Sequence, residues 1–85
     1  LKSETPYKNG EKEGLGTGWY ESGEKEYEVT WKNGELDGLN PSWYKSGKKE
    51  SIKHFKNGVE NGLRTEWDED GKLTFQGNFV DGNEE

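Results

Sequence analysis

The chain has 85 residues, with 12 Lys and Arg against 18 Asp and Glu, a net charge of −6, 25 % hydrophobic residues and no cysteine. This length makes one small domain, and so few apolar side chains exclude a thick two-layer core. The acidity disfavours nucleic acid and anionic membrane surfaces as partners, and the lack of cysteine excludes disulfides and thiolate metal sites.

The redox compartment stays open. No apolar run is long enough for a membrane span or a signal sequence, so no membrane insertion is expected. The chain begins at Leu1 rather than Met, which leaves room for a processed N-terminus. A cytoplasmic location is favoured, with export left open.

In chain order, a stub "LKSETP" precedes a phrase that recurs. "YKNGEKEGL" becomes "WKNGELDGL", then "FKNGVENGL", and "FVDGNEE" begins it a fourth time. Tyr7, Trp31, Phe55 and Phe79 are 24 residues apart. The glycines Gly10, Gly34, Gly58 and Gly82 keep that step, as do Gly14, Gly38 and Gly62, and Gly23, Gly47 and Gly71. Residues 7–30, 31–54 and 55–78 are therefore three gapless repeats in one repeat domain, with a partial repeat over 79–85. Self-similarity at such a period signals a solenoid, propeller or array. The composition alone would suit a disordered chain. Aromatics at fixed spacing argue otherwise, because each buries a large area once neighbours stack. One repeat by itself is not expected to fold.

Each copy reads as two short strands. The predicted strands are 15–20, 25–31, 39–44, 49–55, 63–68 and 72–79. In the second strand of the first copy, Tyr27, Val29 and Trp31 share one parity and Glu26, Glu28 and Thr30 the other, the period-2 pattern of a strand with one buried face. In the first strand, Leu15 falls with Trp19, as Leu39 does with Trp43 and Leu63 with Trp67. The Asn-Gly, Glu-Gly and Asp-Gly pairs supply the positive φ of tight turns. The middle copy departs twice. Lys53 stands where Val29 is expected and Ile52 falls on the wet parity, so that strand carries a bulge or an interrupted apolar face. Pro41 stands where Thr17 and Thr65 do, inside a central strand, where proline is normally excluded.

These units, an aromatic, "KNG", a second Gly four residues on, Leu, Trp-Tyr and a Gly-closed turn, resemble the MORN repeat. "WYESGEKEYEVTWKNGELDG" and "WYKSGKKESIKHFKNGVENG" resemble the variant found in bacterial proteins most closely; "WDEDGKLTFQGNFVDG" lacks only the Tyr. The resemblance covers nearly the whole chain. It implies an all-β fold, an elongated single-layer antiparallel sheet of tandem β-hairpins, and a scaffold or partner-binding role rather than an enzyme. Many bacterial members are grouped with YwqK-like antitoxins.

Residues that suggest chemistry are absorbed by the repeat. "DEDGK" at 68–72 starts like an EF-hand loop, but Gly71 comes too early and Gly77 stands where the bidentate Glu belongs. "GLGTG" at 14–18 lacks the Lys-Ser/Thr and the helix of a phosphate loop. His54, the sole histidine, is the repeat equivalent of Thr30 and Asn78, and the paired carboxylates Glu26 and Glu28 read as a solvated face. No catalytic residue, metal or cofactor is expected.

The remaining lead is aromatic: Trp19, Tyr20, Trp43, Tyr44 and Trp67, either interlocking the hairpins or presenting a binding platform. If the tryptophans face the apolar side in a stacked row, Tyr20 and Tyr44 face water. Three functions fit. One is an interaction module, of antitoxin or immunity type, for a basic protein. Another is a cell-wall, glycan or choline binder, since "GWYESG" resembles choline-binding repeats, although those are shorter and less charged. The third is a spacer from a longer array. Unpaired end strands also invite edge-to-edge self-association, with the C-terminal edge the more exposed.

Overall fold

The computed structural model describes residues 2–85, which form strands and no helix. In chain order the strands are β1 (Lys2–Glu4), β2 (Tyr7–Lys8), β3 (Glu11–Lys12), β4 (Gly14–Trp19), β5 (Lys25–Lys32), β6 (Glu35–Leu36), β7 (Gly38–Trp43), β8 (Lys49–Lys56), β9 (Val59–Glu60), β10 (Gly62–Trp67), β11 (Leu73–Val80) and β12 (Asn83–Glu84). The six long strands lie within one residue of the expected bounds at every end. Ten strands form one antiparallel sheet, a meander in the order β1-β4-β5-β7-β8-β10-β11-β12 with β6 paired to β5 and β9 to β8, and β2 and β3 form a separate two-stranded sheet. The Cα envelope is 42 × 37 × 12 Å, a single layer.

Two kinds of turn alternate along its sides. At Asn9-Gly10, Asn33-Gly34, Asn57-Gly58 and Asp81-Gly82 both central residues have positive φ, from 51° to 85°. This is the type I′ geometry that matches strand twist, and Asn, Asp and Gly tolerate it best. These turns bond to one another across repeats. The Gly34 N–H donates to the Lys12 carbonyl (3.0 Å), Gly58 to Leu36 (2.8 Å) and Gly82 to Glu60 (2.8 Å). On the other side, Gly23, Gly47 and Gly71 each donate to the carbonyl three residues back.

Residues opposite one another across a ladder share a face. One face carries Gly14, Gly16 and Gly18 against Trp31, Val29 and Tyr27. It continues through Asn40 and Lys53, Ser42 and Ser51, Arg64 and Gly77, and Glu66 and Phe75 to Phe79 opposite Gly62. The other face carries Leu15, Leu39 and Leu63, opposite Thr30, His54 and Asn78. Neither face closes over a core. Among the described residues Phe79, 7 % exposed, is the buried hydrophobic one, and Leu15, Leu39 and Leu63 stay about half exposed.

Both departures of the middle repeat are visible. The apolar face is interrupted, because Ser51 and Lys53 lie on it while Ile52 lies opposite Pro41 and Thr65 on the other. A bulge also exists, yet it is common to all three hairpins. The register shifts after Gly18, Ser42 and Glu66, leaving Glu26, Glu50 and Thr74 as the extra residues.

Pro41 stays within β7 but loses a rung. β8 and β10 join at Thr65–Ile52 and Glu66–Ser51, whereas β5 and β7 join only at Tyr27–Ser42. The missing pair, Pro41 with Glu28, is where proline lacks its N–H. Pro41→Thr should restore the rung and raise stability by about 1 kcal/mol; urea unfolding, with amide exchange at residue 41, measures it.

The sheet extends beyond the expected strands at its N-terminal side. β1 pairs with β4 along Glu4–Thr17 to Lys2–Trp19, so the residues before Pro6 add a strand. At the other side β12 pairs with β11 only at Phe79 and Val80.

Candidate functional site

Trp19, Trp43 and Trp67 occupy equivalent, half-buried places at the ends of β4, β7 and β10, opposite Lys25, Lys49 and Leu73. They keep one row but do not stack ring on ring. Alternate strands are roughly 10 Å apart, and the intervening Lys25 ammonium lies 5.9 Å from the Trp43 ring centre.

Tyr20 and Tyr44 do not project freely into water. The Tyr20 hydroxyl donates to the Trp43 carbonyl at 2.8 Å, and the Tyr44 hydroxyl to the Trp67 carbonyl at 2.7 Å. Each half-buried tyrosine thereby ties its repeat to the next. Desolvation raises both phenol pKa values, and nearby carboxylates, Glu26 and Glu50 for Tyr20, Glu50 and Glu69 for Tyr44, raise them further. The third repeat has Asp68 here, and its Oδ1 accepts instead from the N–H groups of Asp70 and Lys72 within its own turn. Tyr44→Phe should cost about 1 kcal/mol, the usual value of one such bond. Chemical denaturation measures it, and a loss of similar size is expected for Tyr20→Phe.

The residues considered for chemistry hold structural places. His54 Nδ1 lies 2.8 Å from the Leu63 carbonyl, in the position from which Thr30 Oγ1 reaches the Leu39 carbonyl at 3.5 Å. "GLGTG" lies in β4, where Gly16 and Gly18 pack under side chains of β5. Among the described residues no group of three or more His, Asp or Glu is placed to hold a metal ion.

One cluster was not legible from the repeat pattern. Arg64 gives a two-pronged salt bridge to Glu60, with Nε 2.8 Å from Oε2. Its guanidinium lies 4.2 Å from the Phe79 ring centre and 5.8 Å from that of Phe75. Charge pairs four residues apart are familiar on helices, so nothing in a strand pattern announces this one. Here the β9–β10 corner brings the two residues together.

The Arg64 hydrogen bond holds the Glu60 carboxyl below its ordinary value of 4.5. A depressed folded-state pKa contributes stability that is present above the unfolded value and lost as pH falls through the folded one. Thermal unfolding followed from pH 6 to pH 3 should therefore show a steeper loss in the native chain than in Glu60→Gln. Parallel curves would show that this pair does not couple to folding.

The sequence model of the MORN repeat variant family matches residues 12–33, 36–57 and 60–81. The chain belongs to the MORN repeat variant family. The three matched windows start 24 residues apart, the period of the turns and of the Tyr–Trp ties. No curated protein and no solved structure matched the chain. This MORN repeat protein is thus a repeat module, an open hairpin sheet with both faces accessible.

Proposed function

We propose that this MORN repeat chain is a non-catalytic module that binds a basic protein partner, in the manner of an antitoxin or immunity protein that masks its target. The observation that carries the reading is an open, single-layer sheet with a net charge of −6 and, among the described residues, no fully buried side chain, so that both faces offer contact area. MORN repeats commonly serve in binding, and the half-exposed Leu15, Leu39 and Leu63 provide apolar contact at regular spacing. A choline or glycan cage draws less support. The Trp31 and Trp43 rings already lie beneath Lys12 and Lys25, at 4.3 and 5.9 Å.

The test is binding to a panel of basic and acidic proteins of matched size, immobilised and read by interferometry across salt concentrations. Association with basic members is expected, weakening as the screening length falls to about 8 Å near physiological salt. Salt-insensitive binding would shift the reading to the leucine and tryptophan rows. Binding to acidic members alone, or to none, would overturn it.

A further inference from the structure

The middle hairpin lacks a ring that its neighbours have. Ser51 stands where the flanking repeats carry Tyr27 and Phe75. In the first hairpin the Tyr27 ring covers Gly18 so closely that a Cβ there would sit 2.2 Å from it. In the third, Phe75 packs beside Phe79 with ring centres 6.3 Å apart. Over Ser51 the surface instead opens into a niche of about 290 Å³, lined by Ser42, Tyr44, Glu50, Lys53, Glu66 and Trp67 among others. Small-molecule pockets run from roughly 300 to 1,000 Å³. This one suits a single side chain better than a cofactor.

Its floor presents an unused acceptor. Ser42 Oγ lies 3.2 Å from Glu50 Oε1 and 2.7 Å from Ser51 Oγ. An ionised carboxylate only accepts, so Ser42 donates to Glu50, and the proton between the two serines must come from Ser51. Ser51 Oγ then keeps acceptor capacity with no donor among the described residues, on a residue that lines the niche and is only 8 % exposed. The Tyr44 hydroxyl proton is likewise committed, to the Trp67 carbonyl.

The charges complete the pattern. Glu50 and Glu66 stand against Lys53, a local balance of one negative charge. Arg64 approaches Glu66 at 3.8 Å, but Glu60 holds its guanidinium with both oxygens. The group that fits is a donor without acceptors, carrying one positive charge on an apolar stem.

We propose that this niche receives one protonated side chain, a lysine or arginine, from the basic partner. Its N–H groups meet Ser51 Oγ, Glu50 and Glu66, and its methylenes lie along Tyr44 and Trp67. The proposal rests on the interaction-module reading and names the place where it acts. It also explains the middle repeat's departure from pattern, since local rules are often broken where a protein binds.

The experiment is an NMR titration of the ¹⁵N-labelled chain with Gly/Ser peptides carrying one central lysine, arginine or norleucine. The two cationic peptides should move the amide signals of Ser42, Tyr44, Ser51 and Trp67; the norleucine peptide should leave them in place. Ser51→Phe, which restores the ring of the third repeat, should weaken cationic binding at least tenfold. Glu50→Gln should weaken it several-fold, and it provides the second readout if Ser51→Phe perturbs folding. Equal shifts with norleucine, shifts confined to another part of the sheet, or unchanged binding in both variants would overturn the niche. The basic-protein panel separates the two ideas. Full panel binding by both variants removes the niche and leaves the module reading standing, whereas no panel binding by the native chain removes the module reading itself.

Discussion

Phe79→Ala is expected to lower stability by about 3–5 kcal/mol, the range for removing a buried aromatic ring. A domain of this size has roughly 4–13 kcal/mol in total, so the loss is a large fraction of it and should show as a clear fall in the urea midpoint. Among the described residues Phe79 is the buried hydrophobic one. It lies opposite Gly62, beneath the Arg64 guanidinium and beside Phe75. Removing it strips the support from the Arg64–Glu60 pair as well. Phe55→Ala is the control. Phe55 occupies the same place one repeat earlier, opposite Gly38, but is only half-buried. Its loss should be clearly smaller in urea unfolding. An equal loss would show that burial at position 79 does not set the effect.

Gly18→Val should cost about 2–3 kcal/mol through overpacking. Gly18 lies directly across from Tyr27, and a Cβ there would meet three atoms of that ring at 2.2–2.8 Å. The ring must leave the sheet surface, or the two strands must part. Coupling supplies the check. In a Tyr27→Ala background the same substitution should cost far less, because the clashing atoms are gone. Gly23→Ala gives the contrast. Gly23 has a φ of +103° and no atom within 4 Å of a built Cβ, so only backbone strain of about 1 kcal/mol is expected. Additive effects of Gly18→Val and Tyr27→Ala would show that the close approach does not carry the cost.

Much of the fold was legible because it is written in side-chain parity and turn chemistry. The alternation of Tyr27, Val29 and Trp31 and the spaced Asn-Gly pairs place the six long strands and the four tight turns. What escaped depends on register between repeats, which a one-dimensional period does not record. The bulge residues Glu26, Glu50 and Thr74 differ in type, and none has the glycine signature that would betray an extra residue. Tyr20 and Tyr44 looked wet by parity, yet their hydroxyls reach the carbonyl of a strand two positions away in the sheet. The segment before Pro6 has no apolar alternation to announce its pairing with β4. At the candidate site, the interrupted face was visible at Lys53 and Ile52, whereas Ser51 in the place of a ring was not singled out. The niche it leaves becomes apparent only when Ser42, Glu50 and Glu66 are brought around it.

The bonds between successive Asn-Gly turns have a consequence for how the molecule tolerates change in copy number. Gly34 reaches Lys12, Gly58 reaches Leu36 and Gly82 reaches Glu60 through the same two backbone atoms, whatever the side chains. Excising residues 31–54 would bring Gly58 to the carbonyl that Gly34 now occupies, with no new joint to invent. Such a lattice grows or shrinks by whole units, and its cohesion follows a sum over neighbouring contacts. It should melt inward from its termini, as a zipper opens, so a shortened chain would differ from the parent in how deep the fraying reaches rather than in the shape of what remains.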